Sequence, residues 1–338
     1  MRSVARTVLV TAAALAALTG SVTTASAADG GPTLQVPQDA LERSLDCTGD
    51  LAGPEPVLLI PGTTQAPAEF SWNYARAFER AGRPFCTVEL PEHGMGDIQV
   101  AAEYVVSAVR TVSERAGRPI DVVGHSQGGM ITRWAVKYWP DTRADIDDLV
   151  GLAPSNHGTV VANGLCAVPI GCAPSIWQQR AGSAFMTALN SDSETYDEID
   201  YTVVFTELDE VVVPNVQLPV LPDAAPPASS ALRGDGANLR IVSLQSVCPA
   251  HPADHLTTGT SDAVAYALTV GALDHDGPAD PSRIDRGVCL QLLQPGVDPL
   301  TFPTDLAAVG VTIADQLVTA RRVTAEPALQ PYARDAAA

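Results

Sequence analysis

Along most of this chain, short apolar runs alternate with segments of helical period. Val57-Leu58-Leu59-Ile60 is a run of consecutive aliphatics closed by Pro61-Gly62, the pattern of a strand buried on both faces. Phe70 to Ala81 spaces its apolar residues as a helix and stops at Gly82, and Phe85 to Leu90 reads as strand. Asp97 to Ala116 predicts a long helix: Asp97 caps it, Val100, Tyr104, Val105, Ala108 and Val112 share one face, and Gly117 ends it. Ile120 to Val123, Ile146 to Leu152, Tyr201 to Thr206 and Leu239 to Leu244 are further strand candidates. Strand alternating with helix implies an α/β fold, a mostly parallel sheet with helices on both faces. Proline clusters predict loop over 214–227, and 276–303 reads as loop too. A helical extension is expected near 304–322. No internal repeat is visible.

The start of the chain breaks this rhythm. Arg2 and Arg6 give a basic opening, Thr7 to Thr19 is an apolar run, and Ala25-Ser26-Ala27 supplies small residues for cleavage. This is a secretory signal pattern over residues 1–27. Its apolar part is shorter than the roughly 20 residues a spanning helix needs. The working protein is then residues 28–338, one domain, secreted and extracellular, with no integral membrane segment left. A formal net charge of −19 with a single lysine, Lys137, makes nucleic acid and anionic membrane surfaces poor partners. Six cysteines remain: Cys47, Cys86, Cys166, Cys172, Cys248 and Cys289. An even count in a secreted chain reads as disulfides, and no ligand spacing for a metal is present. Cys166 and Cys172 are near enough to close a small loop together. Spacing alone pairs none of the others.

Chemistry concentrates where the strand Ile120–Val123 runs into Gly124-His125-Ser126-Gln127-Gly128, followed by a helical pattern through Met130, Ile131, Trp134 and Ala135. In a parallel sheet, ligands bind at the carboxyl ends of strands. A serine on a sharp strand-to-helix turn stands exposed there, and flanking glycines let crowded backbones pass; this is the G-x-S-x-G nucleophile elbow. The pattern alone is modest evidence, and its strand–helix context makes it specific. The turn also opens a helix, so the Gln127 N–H is a candidate oxyanion donor. Pro61-Gly62-Thr63-Thr64 closes the first strand, and Thr63 offers a second N–H and a hydroxyl.

A nucleophilic serine needs a base and an acid, in the chain order serine, acid, histidine. That order leaves His251, His255 and His275; the first two follow the strand Leu239–Leu244. The acid candidates are Glu207, Asp209 and Glu210, after the strand Tyr201–Thr206. Residue chemistry and spacing choose no further among them.

At this point the chain resembles the Candida antarctica lipase B-like family of α/β-hydrolase lipases. The resembling pieces include "VLLIPGTT" at 57–64, "FCTVELP" at 85–91, "SQGGMITRW" at 126–134, "LAPSNHGTV" at 152–160 and "APSIWQQRAGSA" at 173–184. "TELDEVVVPN" at 206–215, "DH" at 254–255 and "PYAR" at 331–334 continue the series in order over nearly the whole chain after residue 27. The resemblance implies an α/β-hydrolase fold and a triacylglycerol lipase or carboxylesterase acting on neutral esters, with no metal and no cofactor; the oligomeric state stays open. It makes Ser126 the nucleophile, Asp209 the acid, His255 the base, and Thr63 and Gln127 the oxyanion hole. It implies disulfides Cys47–Cys86 and Cys248–Cys289. It places His125, Ser155, Trp177, Gln179, Val211 and Leu317 in the substrate pocket, with a lid-like segment near 160–174.

The departures shape the expectations. The family's yeast member has threonine where Gly124 stands, tryptophan where His125 stands and aspartate where Ser155 stands. It has a C-terminal disulfide absent here, while Cys166 and Cys172 are new. We expect Cys166–Cys172 to stiffen the lid, and the smaller His125 to widen the alcohol side of the pocket. The same triad would serve a polyester depolymerase or an acyltransferase. A non-catalytic surface-binding protein would have no need of all three residues.

Overall fold

The computed structural model describes residues 30–215, 228–234 and 236–334. The expected leader over 1–27 and most of the proline-rich segment, 216–227, lie outside the described residues. Seven strands form one sheet: β1 (Leu45–Cys47), β2 (Val57–Ile60), β3 (Phe85–Val88), β4 (Ile120–His125), β5 (Ile146–Leu152), β6 (Asp200–Phe205) and β7 (Leu239–Ser243). Their spatial order is β1-β3-β2-β4-β5-β6-β7. Only β1 runs antiparallel to its neighbour; every other pair is parallel.

Successive residues of a strand point to opposite faces, and the aliphatic runs divide accordingly. Leu58, Ile60, Val122, Leu149 and Val203 pack beneath the helices Ile98–Ala116 and Gln127–Tyr138. Val57, Leu59, Val123, Val150 and Val204 pack beneath Tyr74–Ala81 and Ala263–Leu273. Both faces are covered, as expected.

Two boundaries and one helix face differ from expectation. The helix expected from Phe70 begins at Tyr74, because Asn73 turns its side chain to accept the Tyr74 N–H and so caps it there; a short 3-10 turn, Pro67–Glu69, precedes it. The strand expected to reach Leu90 stops at Val88, where its pairing with Leu45 ends and Pro91 starts another turn. The long helix keeps its Asp97 cap and Gly117 stop, but Val100 is exposed. The face that packs runs through Ile98, Ala101, Ala102, Val105, Val106, Ala108, Val109 and Val112.

The C-terminal helix spans Phe302–Thr319, and the chain after it crosses the molecule as a belt. Val323 and Cys172 exchange backbone hydrogen bonds of 2.9 and 3.2 Å. Glu326 accepts the Phe185 N–H at 2.8 Å, and the Gln330 N–H donates to Gln99 Oε1 at 2.7 Å. Tyr332 lands on Trp139, with ring centroids 5.3 Å apart. Among the described residues, no helix is long and apolar enough to cross a membrane.

Candidate active site

Ser126 joins β4 to the helix Gln127–Tyr138 with φ 53° and ψ −118°, a conformation that L-residues rarely adopt. Its N–H donates to the Leu152 carbonyl at 2.8 Å, which ties the turn to β5. A Cβ at Gly128 would lie 2.1 Å from the Ile60 carbonyl oxygen, and one at Gly124 would lie 2.3 Å from the Gly128 carbonyl carbon. The helix therefore crosses the strand ends too closely for a side chain. The glycine that replaces the family's threonine at 124 goes with this close crossing.

The carboxyl ends of β6 and β7 bring Asp209 and His255 together. His255 opens the helix His255–Thr260, capped by Asp254 through a reciprocal bond with Thr257. Its Nδ1 lies 2.9 Å from Asp209 Oδ2. The other oxygen of Asp209 accepts the Val211 and Val212 N–H groups at 2.9 and 2.7 Å. A carboxylate so engaged is an acceptor, so His255 Nδ1 carries the proton and Nε2 is left to take one. Ser126 and His255 line the same cavity. The competing residues are committed elsewhere. Glu207 accepts the Ser243 hydroxyl at 2.9 Å, and Glu210 accepts the His255 backbone N–H at 3.1 Å. His251 Nε2 pairs with Asp262. His275 follows the far end of the helix Ala263–Leu273.

Around Thr63 a hydrogen-bond relay sets direction. The Ser155 hydroxyl donates to Gln179 Oε1 at 2.9 Å, and Gln179 Nε2 donates to Thr63 Oγ1 at 3.0 Å and to the Ser175 carbonyl at 3.3 Å. An amide nitrogen can only donate, so Thr63 Oγ1 accepts here and keeps its own proton for another partner. Gln127 opens its helix, where the first N–H groups have no intrahelical acceptor. Its side chain is turned away, donating to the Gly94 carbonyl at 2.9 Å.

His125 has a role that sequence reading missed. Nδ1 pairs with Glu69 Oε1, and Nε2 lies 3.2 Å from the His255 carbonyl oxygen. Both partners offer acceptor oxygens, which favours the imidazolium form of the ring. Burial pulls its pKa down, but the Glu69 charge and hydrogen bond, the His255 carbonyl and the Asp209 charge outweigh this and raise it above the ordinary histidine value. The second oxygen of Glu69 accepts the Gly62 N–H at 3.0 Å. One buried pair thus ties together the loop after β2, the elbow and the loop that carries His255. The expected widening at His125 does not follow, because the ring is only 2% exposed and packs so closely on Gly259 that a Cβ there would lie 2.1 Å from it. For Glu69 the only sequence signal was a carboxylate between apolar residues just after Pro61-Gly62.

The cavity in front of Ser126 has a volume of about 450 Å³. His125, Gln179, Val211 and Leu317 line it as expected, together with Leu165, Ile176 and Ile313. Two expected pocket residues do not reach it. Ser155 is fully buried behind Gln179. Trp177 turns its Nε1–H to the Val323 carbonyl at 2.9 Å, and Ile176 takes the place at the wall. The segment 160–174, expected to be lid-like, begins with the helix Val160–Leu165, whose Thr159 cap donates to the Val211 carbonyl at 2.6 Å. The cysteines pair as Cys47–Cys86, Cys166–Cys172 and Cys248–Cys289. Val160, Leu165, Ile170, Leu317 and Val318 are exposed, which leaves an apolar surface on the lid and the C-terminal helix.

Comparison with known proteins gives three agreements. Residues 54–219 match the family described as lipase (class 2). The chain is 31% identical over 312 residues to Lipase B of Pseudozyma antarctica, covering 90% of this chain and 86% of that protein. The crystal structure of Aspergillus fumigatus lipase B superposes with a TM-score of 0.79 at 27% identity, covering 91% of this chain and 74% of that one. The α/β-hydrolase fold expected from the resemblance is borne out by this likeness and by the mostly parallel sheet.

Proposed function

We propose a mechanism from one premise: this chain belongs to the class 2 lipase family and is a lipase/carboxylesterase hydrolase. His255 Nε2 takes the Ser126 proton while Asp209 holds the imidazole tautomer. The alkoxide attacks the ester carbonyl, and the oxyanion is met by the Thr63 hydroxyl and the Gln127 N–H. The alcohol leaves with the proton from His255, giving acyl-Ser126. Water, deprotonated by His255, then releases the carboxylic acid. The observation that carries this reading is the Asp209–His255 hydrogen bond beside the cavity that holds Ser126.

The substrate side follows from the walls. An apolar cavity with an exposed apolar rim suits acylglycerols and related neutral esters presented at a lipid surface. The leader pattern at 1–27 and three disulfides support a secreted enzyme. Residues 28–338 act as a single catalytic domain, with 160–174 as its lid.

The test is a fluorophosphonate label combined with hydrolysis of p-nitrophenyl esters of rising chain length. Ser126→Ala should lose both label and activity while keeping its fold. His255→Ala should lose nearly as much, because the members act as a unit, and His251→Ala should be mild. An inactive His251→Ala beside an active His255→Ala would overturn the assignment.

A further inference from the structure

At the amino ends of the strands, opposite the catalytic edge, three carboxylates converge. The β4–β5 pairing slips there: Ile120 faces Ile146 but Val122 faces Leu149. One residue of β4, Asp121, therefore meets two of β5, Asp147 and Asp148. One oxygen from each lies within 4.8 Å of those from the other two. Asp121 is 1% exposed and Asp148 3%, while Asp147 reaches solvent. A second observation points to a missing partner. Asp148 Oδ1 is fully buried and has no hydrogen-bond partner. Its side chain lines a cavity of about 310 Å³, shared with Asp147, Arg83 and Asp274.

The protein's own cation reaches only one of the three carboxylates. Arg83 Nη1 is 3.4 Å from Asp121 Oδ2, and its Nη2 is committed to Asp274. Glu55, Asp200 and Asp276 add further negative charge nearby. An unpaired anion is costly to bury.

We propose that Asp121, Asp147 and Asp148 bind a calcium ion that staples the central strands β4 and β5 together at their amino ends, remote from the active site. The converging atoms are all carboxylate oxygens, which select a hard cation. Calcium accepts irregular oxygen sets completed by water, whereas magnesium demands near-ideal octahedral geometry. Three carboxylates with one Ca²⁺ leave a single negative charge beside Arg83. The site is partly solvent-open, so its Kd falls in the range of about 10⁻⁴–10⁻³ M typical of extracellular calcium modules.

The experiment uses the full secreted chain, stripped with EDTA, at pH 8. Thermal melts and titration calorimetry are run with CaCl₂, MgCl₂ and KCl at matched ionic strength. Ca²⁺ should bind at one site and raise Tm by roughly 2–4 °C at about ten times Kd; Mg²⁺ should do less and K⁺ nothing. Asp147→Asn, at an exposed position, should fold normally and weaken calcium binding about tenfold. Asp148→Asn should melt, without calcium, at or above the wild-type temperature and lose the calcium response. The proposal is overturned if Ca²⁺ leaves the wild type unchanged or shifts wild type and Asp148→Asn equally. It is also overturned if Asp148→Asn melts well below the metal-free wild type, since the carboxyl would then be an internal hydrogen-bonding acid rather than a ligand.

Discussion

Replacing Glu69 by glutamine isolates what the buried His125–Glu69 pair does. The amide keeps the carboxylate's shape, and its oxygen can still accept the Gly62 N–H. Its NH₂ must then face His125 Nδ1, which has to give up its proton to accept. The imidazolium becomes a neutral imidazole that still donates to the His255 carbonyl. Bonds to charged groups contribute about 1.5–3 kcal/mol and neutral ones about 0.5–1.5. Glu69→Gln should therefore cost about 1–3 kcal/mol of stability. Glu69→Ala leaves the imidazolium and the Gly62 N–H unpaired, and should cost about 3–5 kcal/mol. The folded-state pKa of His125 is raised, so the pair's contribution is complete below the unfolded value of about 6.5. It is lost as pH rises through the folded value. Glu69, Asp209 and the His255 ring, 5.0 Å away, are the titratable groups facing it. Urea denaturation of wild type and Glu69→Gln should show a gap that is widest near pH 6 and narrows toward pH 10. Because Gly62 adjoins Thr63 and the His255 carbonyl is held by the same ring, kcat on p-nitrophenyl butyrate should fall more than KM changes. A gap that stays constant or widens with pH, or equal losses in the glutamine and alanine variants, would refute the reasoning.

Thr63→Val removes the hydroxyl donor and should lower kcat about 10²-fold with little change in KM; an unchanged kcat would exclude the hydroxyl from the oxyanion hole. Gln179→Leu keeps that hydroxyl but frees its orientation, so kcat should fall less than in Thr63→Val, and a larger loss would show that Gln179 itself meets substrate. The double variant Cys166→Ser/Cys172→Ser should loosen the lid and produce a jump in rate at the tributyrin solubility limit, where the wild type rises smoothly. A jump already present in the wild type would show that the disulfide does not hold the lid.

The parts of the fold that could be read in advance are those where burial alone dictates residue type. Strands β2 and β4–β6 are aliphatic runs covered on both faces, and the elbow is marked by glycines that only a close crossing requires. β1 escaped notice because half-buried Leu45 and Cys47 around an exposed Asp46 are too short a run to carry a pattern. The helix Ala263–Leu273 escaped because it is apolar nearly all round and shows no helical period. Asp209 and His255 could be named only through the resemblance, since spacing left Glu207, Glu210, His251 and His275 open. Resemblance also transferred Ser155 and Trp177 to the pocket by position, while side-chain direction was set by local partners, Gln179 and Val323. Glu69 and the Asp121–Asp148 pair were not legible, because their meaning arises only when distant segments pair.

The belt that follows the C-terminal helix makes the end of the chain part of the entrance. Leu165 and Leu317, from remote parts of the sequence, both line the cavity in front of Ser126. The Val323–Cys172 bridge and the Arg322 contact to the Gly171 carbonyl, at 3.0 Å, buckle those two walls together. A protein cut after Thr319 would retain every reacting group and lose the buckle. Proteolytic trimming, or a fusion that pulls on this terminus, would therefore act first on which esters enter and how fast their products leave.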